Sequence, residues 1–108
     1  MRYIVNAFSL SMLSGDEATL SIEKVTQGEA RHIVEDGPYV SAVGHQTTAD
    51  LFTSLLGVTV GLNRTNVILG AGDELLVGQY SGPRLPEGAT KLPEGAVVTW
   101  WVITGRFS

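Results

Sequence analysis

The chain has 108 residues and a mass of 11.5 kDa, enough for one modest core and not two. Hydrophobic residues make up 44% and charged residues 17%, which excludes a disordered chain. The absence of cysteine excludes disulfides, thiolate metal sites and cysteine nucleophiles, and a formal net charge of -4 weighs against a long nucleic-acid-binding surface, which needs a basic stripe.

Duplex nucleic acid is therefore not an expected partner. No apolar run reaches signal-peptide or transmembrane length, so no membrane partner is expected and the expected location is cytoplasmic. A small anionic ligand stays open whatever the net charge. Any pocket for it must draw on the seven basic residues, Arg2, Arg31, Arg64, Arg84, Arg106 and two lysines.

In chain order, residues 2–8 predict a first strand, because β-branched and aromatic residues dominate and no breaker intervenes. Asn6 is the polar exception inside that run. Residues 9–13 leave the strand as one helical turn, and Ser14-Gly15-Asp16 signals a turn. Residues 18–25 alternate apolar and polar, the pattern of a half-exposed strand. Residues 26–35 predict a short helix, with Thr26 and Glu29 at capping-box spacing and Ala30, Ile33 and Val34 as the buried stripe. Asp36-Gly37-Pro38 ends it.

Residues 39–43 predict a short strand that runs into Gly44, presents His45 and turns into a second helix, from Thr47 or Thr48 to Leu56. Thr47 and Asp50 have cap spacing, and Leu51, Phe52, Leu55 and Leu56 form an apolar face that Gly57 terminates. Residues 58–60 and 65–69 are strand-like. A hairpin turn at Gly70-Ala71-Gly72-Asp73 would then return residues 74–80 as an antiparallel partner. Residues 81–96 are a Gly/Pro-rich connection in which Leu85-Pro86-Glu87-Gly88-Ala89 recurs as Leu92-Pro93-Glu94-Gly95-Ala96, too short an echo to mark a repeat architecture. Residues 97–104 predict the last strand, on which Trp100 and Trp101 must face opposite sides. The expected fold is α/β: one domain over residues 1–108, a mixed five- to six-stranded sheet and two main helices as crossover connections.

Few residues can carry chemistry. Two histidines with no paired His or carboxylate spacing make a poor metal site, so neither metal nor cofactor is expected, and no Gly-x-Ser-x-Gly corner occurs. His32 reads as a surface histidine. What remains is His45 at a strand-to-helix corner, Arg64 and Arg84 in loops, and Glu87 three residues beyond Arg84. Imidazole moves a proton near neutral pH and guanidinium binds phosphate oxygens in a bidentate way, a pairing suited to phosphodiester chemistry. The residues alone leave a second reading open, in which His45 caps the helix and the arginines are surface groups.

The ordered series Asn6-Ala7-Phe8-Ser9-Leu10, Gly44-His45-Gln46-Thr47-Thr48, Leu55-Leu56-Gly57-Val58, Asn63-Arg64, Gly72-Asp73-Glu74-Leu75 and Arg84-Leu85-Pro86-Glu87-Gly88 resembles the viral ring nuclease family across nearly the whole chain. These are type III anti-CRISPR proteins, first seen as small proteins of archaeal viruses. The resemblance implies a homodimer that binds cyclic tetra-adenylate across its two-fold axis. A ribose 2′-hydroxyl would attack the neighbouring phosphorus without a metal, leaving linear di-adenylate with a 2′,3′-cyclic phosphate. It further implies that His45 is the general acid, that Arg84 contacts the scissile phosphate, and that Glu87 orients the histidine or holds it protonated. Asn6, Ser9, Ser11, Thr47, Arg64 and Gln79 fall at ligand-contacting positions. The segment Tyr80-Ser81-Gly82-Pro83-Arg84 is one residue longer than the corresponding family loop, and Glu94 is a second candidate for the acidic residue. A non-catalytic sponge or sensor for the same ring is the alternative function.

Overall fold

The computed structural model describes residues 1–107, with the side chain of Phe107 left undescribed. Five strands form one mixed sheet: β1 (Arg2–Val5), β2 (Ala18–Val25), β3 (Val40–Ser41), β4 (Glu74–Ser81) and β5 (Val97–Phe107), in the order β2-β5-β4-β1-β3. The two helices are α1 (Gln27–Glu35) and α2 (Gln46–Leu56), and a single 3₁₀ turn occupies Leu10–Met12. Strand β1 runs parallel to both β3 and β4, whereas β5 pairs antiparallel with β4 and with β2.

Local signals written in the sequence are realised where they are self-contained. Strand β2 spans the predicted residues. The Thr26 hydroxyl accepts from Glu29 N at 3.1 Å while the Glu29 carboxylate accepts from Thr26 N at 3.0 Å, closing the capping box of α1. Gly57 stops α2 in a left-handed conformation, φ 71°, which a residue with a Cβ adopts at a cost.

Several expectations require correction, the third strand among them, which spans only Val40–Ser41 rather than residues 39–43. The first strand ends at Val5, not residue 8: its parallel partner β3 is two residues long, the last β1–β3 link being Ala42 N to Ile4 O at 2.8 Å, so Asn6 stands exposed beyond the ladder. Residues 58–60 and 65–69 are not strands, because their backbone groups bond elsewhere. The Thr53 hydroxyl takes both the N–H and the C=O of Val60, Tyr39 donates to Thr59 O, and only single bridges join Leu13 to Leu69 and Val43 to Leu62. The turn at residues 70–73 exists, with Gly70 N donating to Asp73 Oδ2 at 2.9 Å. It does not close a hairpin: β4 continues into the sheet centre, parallel to β1 and antiparallel to β5.

The two sides of the sheet differ. On one, Ala30, Val34, Ala49, Phe52 and Leu56 from the helices pack on Ile4, Leu76 and Trp100. Among the described residues the other side carries no α-helix, only the 3₁₀ turn whose Met12 packs against it. Val67 and Leu69 cover Val5, Leu75, Val77 and Ile103 there, with Trp101 half-buried among them. The adjacent tryptophans face opposite sides, as strand periodicity requires.

Helix α2 sits close to β4 because residue 78 is glycine. A Cβ at Gly78 would lie 2.5 Å from Trp100 Cζ3 and 2.6 Å from Phe52 Cζ, well inside contact distance. Gly78→Ala should therefore lower stability by about 1–3 kcal/mol, the usual cost of overpacking, read as a reduced urea midpoint at unchanged slope. Asp73 supplies a pH-dependent term. The hydrogen bond from Gly70 N, then that from the N-terminal ammonium, lowers its pKa below the ordinary 3.8. Since the folded value lies below the unfolded one, this stabilisation is fully present above 3.8 and is lost as pH falls through the lowered value. Urea midpoints of wild type and Asp73→Asn should differ at about pH 6 and converge toward about pH 2.

Candidate active site

The N-terminal end of α2 and the end of β4 enclose a cleft of about 760 Å³. From α2 come His45, Thr47 and Thr48; from β4 and its following loop come Tyr80, Gly82, Arg84 and Glu87. His45 is the backbone N-cap of α2, its C=O accepting from Ala49 N at 2.9 Å, but its side chain makes no capping hydrogen bond. The predicted cap at Thr47 is displaced by two residues: Thr47 lies in the first turn, and Asp50 accepts from Gln46 at 2.8 Å. The imidazole is exposed at the cleft and unused by the helix.

Both copies of the Leu-Pro-Glu-Gly-Ala echo are tight turns. Ala89 N donates to Pro86 O and Ala96 N to Pro93 O, with Gly88 at φ 76° and Gly95 at φ 81°, the left-handed third position that favours glycine in a type II turn. Glu87 and Glu94 hold equivalent places in the two turns, but it is Glu87 that lines the cleft. Arg84 and Glu87 are both exposed, and among the described residues no ion pair joins Glu87 to His45. No group of three or more His, Asp or Glu side chains is placed to hold a metal among the described residues.

The remaining sequence-predicted residues lie on other surfaces. Asn6 and Gln79 share a concavity of about 370 Å³ with Phe8, Val77, Trp101 and Ile103, on the side of the sheet without helices. Arg64 lines a smaller hollow with Thr65 and Asn66, and its Nε donates to Gly44 O at 3.0 Å, one residue before His45. Ser9 caps the 3₁₀ turn by accepting from Ser11 N, and the two hydroxyls lie 2.9 Å apart. Sequence reasoning missed Thr48 and Tyr80 as cleft residues. Thr48 adjoins Thr47 in the same helical turn, and strand alternation puts Tyr80 on the side opposite Gln79, so both were readable once α2 was known to begin beside the end of β4.

A family model described as STIV B116-like matches residues 2–99. The chain belongs to the STIV B116-like family of archaeal virus proteins. Its fold is similar to that of B116 of Sulfolobus turreted icosahedral virus, with a TM-score of 0.81, 28% identity, and coverage of 94% of this chain and 97% of that one. Over 76 residues it is 36% identical to uncharacterised protein 26 of Sulfolobus islandicus filamentous virus (isolate Iceland/Hveragerdi), covering 70% of this chain and 64% of the relative. Over 63 residues it is 40% identical to uncharacterised protein ORF117 of Acidianus two-tailed virus, covering 56% of this chain and 54% of the relative. The matched stretch is thus under two thirds of the length of both uncharacterised relatives. Among the described residues of this B116-like chain, no helix is long and apolar enough to cross a membrane.

The loop bearing Arg64 is held to the α2 corner by side-chain and backbone hydrogen bonds. Asn63 Nδ2 donates to Ser41 O at 2.6 Å, Asn63 N donates to Val43 O, and Thr53 secures Val60 from both sides. Replacing Thr53 by valine keeps the shape but strands partly buried backbone groups of Val60. The expected loss is about 1–3 kcal/mol, measured by denaturant unfolding, with Thr53→Ser recovering most of it.

Proposed function

We propose that this B116-like protein is a metal-independent ring nuclease that cleaves cyclic tetra-adenylate and so switches off or evades type III CRISPR signalling in the host cytoplasm. The observation that carries the reading is the meeting of His45, Arg84 and Glu87 in one cleft, with the His45 imidazole not engaged in helix capping. The order of motifs that resembles the ring nuclease family is the second support.

In this reaction a ribose 2′-oxygen forms a bond to the adjacent phosphorus and the bond from phosphorus to the 5′-oxygen breaks. The 2′-hydroxyl proton leaves to solvent or a base. His45, protonated, delivers a proton to the departing 5′-oxygen, a role worth about 10²–10⁴-fold. Arg84 offers a planar fork of N–H donors to the phosphoryl oxygens, where charge builds in the transition state. Thr47 contributes a hydroxyl from the same helical turn, and Glu87 supplies a carboxylate for a protonated imidazole.

A homodimer is part of the proposal. Asn6 and Gln79 lie in a concavity on the helix-free side of the sheet, together with the exposed Ile22 and half-buried Trp101. A ring lying across two copies of this face would reach Asn6, Gln79, Ser9 and Ser11 at its centre and the His45 clefts at its rim.

Purified protein incubated with cyclic tetra-adenylate and a chelator should convert the ring to linear di-adenylate with a 2′,3′-cyclic phosphate. His45→Ala should slow this by about 10²-fold or more while still binding the ring. An intact ring bound tightly by both proteins would reject catalysis and leave the sponge. No binding at all would reject both.

A further inference from the structure

The loop that presents Arg84 and Glu87 is fastened to the sheet at two points, neither of which belongs to the chemistry above. Tyr80, near the end of β4, donates its hydroxyl proton to the Pro83 carbonyl, and Pro83 directly precedes Arg84. Two residues after Tyr80, Gly82 has φ 146°, a conformation that favours glycine. A Cβ there would lie 2.7 Å from both Cα and Cβ of Ala96, the residue that closes the second echo turn. The chain therefore leaves the strand, lies flat against Ala96, and is caught by the Tyr80 hydroxyl before it reaches Arg84.

Tyr80 is well placed to act as a fixed post. Its backbone is in the ladder, opposite Val98 of β5, and its side chain is half-buried and lines the same cleft as His45. Arg84, by contrast, is exposed and lies beyond the last residue of β4. We propose that Tyr80 is a positioning residue: through the Pro83 carbonyl it sets where Arg84 stands relative to His45 across the cleft. The catalytic consequence rests on the ring-nuclease reading, whereas the clasp itself does not. Displacing a catalytic group by about 1 Å can cost on the order of 10²-fold in rate, so a tether at this point has leverage on turnover without touching the ring.

The test uses the full chain carrying Tyr80→Phe, which keeps the aromatic ring in the cleft and removes only the donor. Backbone ¹⁵N order parameters of Arg84 and Leu85 should fall from about 0.85 toward about 0.6, with Leu76 and Val77 unchanged. With cyclic tetra-adenylate as substrate, kcat should drop on the order of 10-fold while KM stays within about twofold, the split expected when a transition-state contact is misplaced. Gly82→Ala, which pushes the loop off Ala96 with the hydroxyl intact, should produce the same kcat-selective loss. The double variant should be little worse than either single one, since both act on one loop. Unchanged order parameters in Tyr80→Phe would overturn the clasp. A loosened loop with unchanged kcat, or a loss confined to KM, would overturn the positioning role. A loosened loop in a protein whose wild type leaves the ring intact would uphold the clasp and reject the ring-nuclease reading.

Discussion

The contact on which the cleft depends is the seating of Phe52 and Trp100 over Gly78. The two rings lie 4.9 Å apart between centroids and tilted by 57°, and they occupy the space a side chain at residue 78 would need. Phe52 belongs to α2 and Gly78 to β4, so this contact sets the separation of the two elements whose ends form the cleft. His45 begins one of them, and Tyr80 follows Gly78 by two residues on the other. The geometry of the site is thus inherited from a packing constraint in the core, where interiors tolerate little change in volume. Trp100 brings a cost as well: its indole N–H is buried without a hydrogen-bond partner among the described residues.

A second constraint comes from strand periodicity. Gln79 and Tyr80 are neighbours in β4 and must face opposite sides of the sheet. The polar residues that a sequence reading groups together are accordingly split, with His45, Thr47, Arg84 and Glu87 in one cleft and Asn6 and Gln79 in another concavity. A ligand that engages both sets has to reach both faces of the sheet.

Much of the local structure was legible beforehand because its causes are local. The capping box of Thr26 and Glu29, the bounds of β2, the stop at Gly57 and the opposed tryptophans each depend on residues within a few positions of one another. The strand-like runs at residues 58–60 and 65–69 misled for the complementary reason. β-branched composition says that a segment suits an extended backbone, not that a partner strand lies alongside. Here Thr53, Tyr39 and Ser14 supply side-chain partners instead, and the segments pass over the sheet as loops. Likewise the turn at residues 70–73 was visible, while the strand it feeds found its partners from opposite ends of the chain.

By itself the sequence determined the fold class, both helices and the position of His45 at a strand-to-helix corner, since all of these follow from residue type and short-range spacing. It left open whether His45 caps its helix, which glutamate of the echo faces the site, and whether the polar residues share a surface. Those were decided by the tertiary structure. β4 pairs with β1 and β5, residues far away in the chain, and α2 comes to rest on β4 through Gly78. This brings His45 to Arg84 and Glu87, whereas the pleat of β4 turns Gln79 away from Tyr80 and leaves it with Asn6 on the opposite face.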